Sequence, residues 1–135
     1  MRLLIDTNIV LEVILEQAKA EEAQALLART EEHEFFISDY ALHSIGLLLF
    51  HRKQHPVFQQ FLDDMMLQAG MMVASLSVED MRSVIEAAQR FNLDFDDAYQ
   101  YAVAEKYNLI IVSFDSDFDR TERRRKTPAE VLQGS

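Results

Sequence analysis

The chain alternates short, wholly apolar runs with longer stretches of helical spacing, and no other feature limits its fold as much. Leu3-Leu4-Ile5, Phe35-Phe36-Ile37, Met71-Met72-Val73 and Leu109-Ile110-Ile111-Val112-Ser113 are the four runs. None alternates apolar with polar residues as a half-solvated strand does, so each reads as a strand buried on both faces. Between the runs, Ile9, Val10, Val13 and Ile14 recur at helical spacing, and Ala20 to Ala28 forms a second helix. Ser38 or Asp39 is placed to cap a helix through Phe50, and Pro56 fits the first turn of a helix continuing to Gln68. Ser77 begins a helix to Phe91. Asp94 or Asp96 begins one to Tyr107, with Asp96 the better suited, and Thr127-Pro128-Ala129-Glu130 opens a last short helix. The alternation predicts an α/β three-layer sandwich, with a central, mostly parallel sheet of four to five strands flanked by helices. Only three Gly and two Pro occur in 135 residues, so the connections are short and residues 1–135 are expected to form a single domain.

Charge constrains partners. The net charge is −10, which repels nucleic acid unless something local reverses its sign. The imbalance is uneven: residues 1–119 hold eight basic and 21 acidic side chains, while Arg120, Arg123, Arg124, Arg125 and Lys126 crowd into seven positions. That stretch is either a solvated loop offsetting the acidic body or a functional basic edge. The absence of cysteine excludes disulfides, thiolate zinc sites and cysteine nucleophiles. MRLLIDTN reaches an acid after three apolar residues, and Ile45 to Phe50 is the longest apolar run. The expectation is a cytoplasmic protein with no membrane partner.

Open parallel sheets gather chemistry at the carboxyl ends of their strands. Asp6 follows the first run there, Asp115 follows the last, and Asp117 lies two residues further on. One such acid is commonly a helix cap, but several converging on one edge repel each other unless a cation compensates. Asp97 precedes the small, inward stripe Ala98, Tyr101 and Ala102, so it lies near the buried side of its helix, where an acid needs a partner. Carboxylates suit Mg²⁺ or Mn²⁺.

D-T-N after the first strand, D-D-A-Y-Q-Y-A-V-A-E-K-Y-N on a late helix, L-I-I-V-S-F-D-S-D-F and the closing T-P-A-E-V-L together resemble the PIN-domain family. That family includes the toxin ribonucleases of VapBC-type toxin–antitoxin pairs. The resemblance runs from Leu3 to Leu132. It implies a pocket binding Mg²⁺ or Mn²⁺, cleavage of single-stranded RNA, and a small antitoxin partner. Position by position, it implies that Asp6, Asp97 and Asp115 are the first, third and fourth metal-binding acids. Ser113 matches the Ser/Thr before the fourth acid, Asn8 the polar residue of the opening motif, and Asp117 an additional acid. Ser113 and Asn8 would orient the acids or the attacking water.

The second acid, a Glu in most of the family, is missing. Its slot falls at Ser44 or its neighbour His43. Either three Asp and water hold the cation, or Asp39 and His43, four apart on one helical face, replace the ligand. A regulatory or interaction module with weak or lost turnover is the alternative to a nuclease. A receiver domain or a haloacid-dehalogenase-type phosphatase fits less well, because Asp6-Thr7-Asn8 lacks the acids that each requires. The arginine-rich stretch would contact single-stranded or structured RNA beside the pocket. His51 and His55 read as a solvated helix end, and Met65, Met66, Met71 and Met72 as core filling or, where exposed, a homodimer or antitoxin surface. Among Tyr99, Tyr101 and Tyr107, which can stack on bases, Tyr101 at least belongs to the packed stripe.

Overall fold

A computed structural model describes residues 1–134. Four strands, β1 (Arg2–Ile5), β2 (Glu34–Ser38), β3 (Met72–Ala74) and β4 (Ile110–Val112), form one sheet in the order β3-β2-β1-β4. Every pairing is parallel, with Leu4 opposite Phe36 and Ile111, and Ile37 opposite Val73. Beyond β4, Lys126 forms a single parallel bridge to Val112.

The apolar runs divide by residue parity, as the pleat requires. Leu3, Ile5, Phe35, Ile37 and Val112 pack into one core cluster with α1 (Thr7–Ile14), α2 (Ala20–Leu27), α3 (Asp39–His51), α4 (His55–Phe61) and Val131 of α7 (Pro128–Gly134). Leu4, Phe36, Ala74 and Ile111 pack into the other with α5 (Met81–Phe91), α6 (Phe95–Tyr107) and Phe118. Helices therefore cover both faces of the sheet. Alpha-helix α3 approaches α4 closely because Gly46 lies under Phe58: a Cβ there would stand 3.0 Å from the ring. Among the described residues no helix is long and apolar enough to cross a membrane.

Topology fixes where a ligand can enter. The chain steps from β1 outward to β2 and β3, then returns through α5 and α6 to place β4 on the other side of β1. The strand order thus reverses between β1 and β4, and the crevice outside their carboxyl ends is the switch point of the sheet. The N–H of Asp6 donates to Val112 O at 3.0 Å, which ties the two strand ends together.

Three local expectations need correction. The helix expected from Pro56 to Gln68 is α-helical only to Phe61 and continues as a π-helical stretch, Leu62–Gln68. Ser77 does not cap α5. It exchanges hydrogen bonds with Asp80 in the preceding turn, and the helix starts at Met81. Asp94, not Asp96, caps α6, accepting from the N–H of Asp97 at 3.0 Å. The buried Leu93 fixes the chain just before that cap, so the helix begins two residues earlier than Asp96 would allow. Asp96 instead accepts from the Tyr40 hydroxyl at 2.5 Å.

Candidate metal centre

Three helix N-termini converge on the crevice, and each brings a carboxylate. Asp6 ends β1 in extended backbone and caps α1 by accepting from Thr7 N at 2.8 Å. Asp94 caps α6, which places Asp97 in its first turn. Asp115 follows β4 and caps the 3-10 helix Ser116–Arg120, accepting from Asp117 N at 2.8 Å. The positive ends of these helices favour negative charge. Strand-then-cap is a local habit of such sequences, and here it happens twice at one edge, after β1 and after β4, while α6 arrives from the turn that follows α5.

Oxygens of Asp97, Asp115 and Asp117 lie within 4.8 Å of one another. Asp97 is 6% exposed, the other two are half-buried, and Arg120 is the basic group at this cluster, on Asp117 at 2.9 Å. Burial is the main cause that pushes the Asp97 carboxyl up to about 8, and Asp115, Asp94 and Asp6 push it the same way. A divalent ion among the three carboxylates would offset that penalty. The residues present fit such an ion: hard oxygen donors, several carboxylates, and no thiolate.

Asp6 stands beside this trio, joined to it by hydrogen bonds. The Ser113 hydroxyl donates to Asp6 Oδ2 at 2.6 Å, and Ser113 Oγ in turn accepts from Asp115 N at 2.9 Å and from Asn8 Nδ2 at 3.2 Å. Asn8 also donates weakly to Asp6 and accepts from Phe114 N. Ser113 and Asn8 therefore orient acids and the loop after β4. Burial raises the Asp6 carboxyl, while hydrogen bonds from Ser113, Gln100 and Thr7 pull it back.

Gln100 escaped the sequence reading. It lies one turn after Asp97 on α6 and is 2% exposed, and its Nε2 donates to Asp6 Oδ1 at 3.0 Å. The sequence holds part of the signal, since Gln100 is the lone amide in Asp97–Ala104; the burial of that stretch at every position is visible only in the structure.

The residues offered for the missing ligand are not brought to the cluster. His43 is exposed, and Asp39 accepts from the Tyr99 hydroxyl at 2.7 Å. That bond, together with burial, raises Tyr99 to about 12. Ser44 is hydrogen-bonded to Tyr40. Tyr99 and Tyr101 are buried, and Tyr107 donates to Ser75 O, so all three have packing or bonding roles. His51 and His55 are exposed, with His55 against the Phe50 ring. Met71 is buried, Met65 and Met66 pack against the core, and Met72 is 46% exposed on the edge strand.

The basic stretch divides. Arg120 donates to Phe91 O and Asn92 O at the end of α5 as well as to Asp117. Arg125 reaches Ser113 O and Asp119. Arg123 binds Asn108 and Leu109 O, at the amino end of β4 and thus away from the acids. Arg124 and Lys126 are exposed, and the Lys126 ammonium has no ion pair among the described residues.

A doubly wound α/β protein with a carboxylate cluster at its switch point is a candidate for divalent-cation chemistry on an anionic substrate. The chain belongs to the PIN domain family, whose model matches residues 3–124. No curated protein gives a significant sequence match. Among solved structures it is similar to VapBC2 from Rickettsia felis, bound there to a promoter DNA fragment. The TM-score is 0.74 at 16% identity, over 93% of this chain and 97% of that one. A toxin–antitoxin complex from Klebsiella pneumoniae gives 0.69 at 23% identity, over 93% and 96%. VapC20 from Mycobacterium tuberculosis, a toxin that cleaves the sarcin–ricin loop, gives 0.71 at 20% identity, over 87% and 92%.

Proposed function

We propose that this chain is a divalent-metal-dependent endoribonuclease that cuts single-stranded RNA or an exposed loop of structured RNA, and that it is the toxin of a toxin–antitoxin pair. The observation that carries the reading is the Asp97–Asp115–Asp117 cluster, with a raised Asp97, at the switch point of the sheet. Mg²⁺ or Mn²⁺, when bound, supplies a lowered pKa for attacking water and stabilises charge on the phosphoryl oxygens. The chain's own part is orientation. Asp97, Asp115 and Asp117 present oxygens to the ion, with Arg120 fixing one oxygen of Asp117. Ser113 and Asn8 hold Asp6 and the backbone of Asp115 in register. The exposed Arg124 and Lys126 offer positive charge to an RNA backbone along the β4 edge.

A groove of 620 Å³ opens between α1, α2 and α4, lined by Val10, Val13, Ile14, Leu27, Val57 and Phe61. In this reading it seats an apolar helix of the small partner, whose basic residues complement a chain of net charge −10. Purification from the native host should then yield a two-chain complex that Ala28→Arg at the groove dissociates. A lone, stable chain would remove the partner from the account.

The decisive assay for cleavage is direct. Purified protein with Mn²⁺ or Mg²⁺ should cut single-stranded RNA, chelation should stop it, and Asp6→Asn should abolish it with the circular dichroism spectrum unchanged. Equal cutting by Asp6→Asn and the parent would end the assignment. One observation favours a second reading, an interaction module with weak turnover: among the described residues α3 adds no carboxylate to the cluster, and its acid Asp39 accepts from Tyr99 instead. A highly purified chain that binds RNA but never cuts it would select that reading.

A further inference from the structure

The polar layer between Asp6 and β4 is closely matched, donor to acceptor, with one exception. The Ser113 hydroxyl, the Asn8 amide and the Asp115 N–H all have partners there. Gln100 Nε2 is satisfied by Asp6, but Gln100 Oε1 is buried without a hydrogen-bond partner. Asp6 fixes the amide's orientation: turning it over would set a carbonyl oxygen against a carboxylate oxygen that already has Thr7 N as a donor. The orphan is therefore the oxygen, held one turn of α6 beyond Asp97 and in contact with Asp6 through its own amide. A buried carbonyl left unmatched is uncommon in a folded chain, and this one stands beside Asp6 at the crevice.

We infer that Gln100 is a positioning residue for the cation, its Oε1 accepting a hydrogen bond from a water in the ion's hydration shell while its Nε2 holds Asp6. This rests on the metal reading above. Mg²⁺ bound by few carboxylates keeps several waters, and those waters need acceptors. An amide is the suitable side chain here. It adds an oxygen without adding charge to a site that already gathers Asp97, Asp115 and Asp117. A carboxylate in its place would lack the N–H that Asp6 uses and would face Asp6 with a like charge.

The test measures Mn²⁺ binding by titration calorimetry and by the electron paramagnetic resonance signal of the ion, with no RNA present. The proteins are the parent, Asp97→Asn, Gln100→Leu and Gln100→Met. The parent should bind, Asp97→Asn should lose most of that binding, and both Gln100 variants should bind about 10- to 100-fold more weakly. Melting without and with Mn²⁺ adds a readout that separates positioning from structure. Both variants remove the N–H that Asp6 accepts together with the orphaned oxygen, so the metal-free melting temperature falls in either case, and the deciding readout is the rise on adding Mn²⁺, which shrinks. A Gln100 that merely supports the fold leaves that rise and the Mn²⁺ affinity parental, which overturns the inference. Two variants are used because Met, being flexible, fills the space if Leu packs badly. Parental affinity in either folded variant refutes the role of Gln100 and leaves the metal reading standing. No binding by the parent removes both.

Discussion

The acidic crevice and the arginine-rich segment beside it look like matched halves of one charged surface, yet they differ in what their charges touch. In the crevice, Asp97 is buried among other acids, and among the described residues the guanidinium of Arg120 pairs with Asp117 of the three. In the segment 120–126, most of the charge is already engaged by the protein itself. Arg120 closes the end of α5, Arg123 binds the start of β4, and Arg125 holds Ser113 O and Asp119. The acids are left in need of a cation, whereas most of the arginines serve the fold. Charge counted along a sequence does not distinguish these cases, because the difference lies in the hydrogen-bond partner each group finds.

The largest contrast should appear in turnover. Asp97→Asn is expected to lower RNA cleavage on the order of 10³-fold by removing an oxygen from the cluster, while Arg123→Ala leaves cleavage within a factor of a few. Comparable losses from the two would erase the distinction between the regions. Next comes pH. The folded Asp97 releases its proton near 8 rather than at the ordinary 3.8, so between those values the folded chain holds more protons than the unfolded one. Metal-free stability must then fall as pH rises through that window. Urea midpoints should decline from about pH 4 to about pH 8, the decline should vanish in Mn²⁺, and Asp97→Asn should flatten it. A midpoint that rises across the window contradicts the assignment of Asp97.

Smaller effects test the arginines. Arg120→Ala should lose about 1 kcal/mol of stability, since the side chain is half-exposed and its bonds to Phe91 O and Asn92 O are screened. Unchanged stability would return Arg120 to the solvated surface. Arg124→Ala and Lys126→Ala should each reduce the salt slope of RNA binding by about one, with stability unaltered. Identical slopes would leave the basic edge with no part in binding RNA.

Much of this arrangement was legible in the sequence because it is local. A wholly apolar run followed by an acid, then by a helical pattern, specifies a buried strand that hands over to a capped helix, and Asp6 and Asp115 were readable on that basis. Asp97 was readable because small apolar neighbours put it on the packed side of α6. The exchange of roles between Asp94 and Asp96 was not, since either can cap and only the seating of Leu93 in the core decides. The binding of Arg120 and Arg123 to backbone carbonyls 28, 29 and 14 residues away leaves no mark on composition or spacing. Gln100 is the instructive omission. A glutamine in a helix ordinarily faces water, and only the burial of all its neighbours turns it inward toward Asp6.

Anomalous diffraction at the manganese edge, from crystals of the protein soaked in Mn²⁺, locates the ion. A peak is expected among the carboxylates of Asp97, Asp115 and Asp117, next to Asp6 and Gln100. A peak elsewhere on the surface, or none between those three side chains at saturating Mn²⁺, would contradict it.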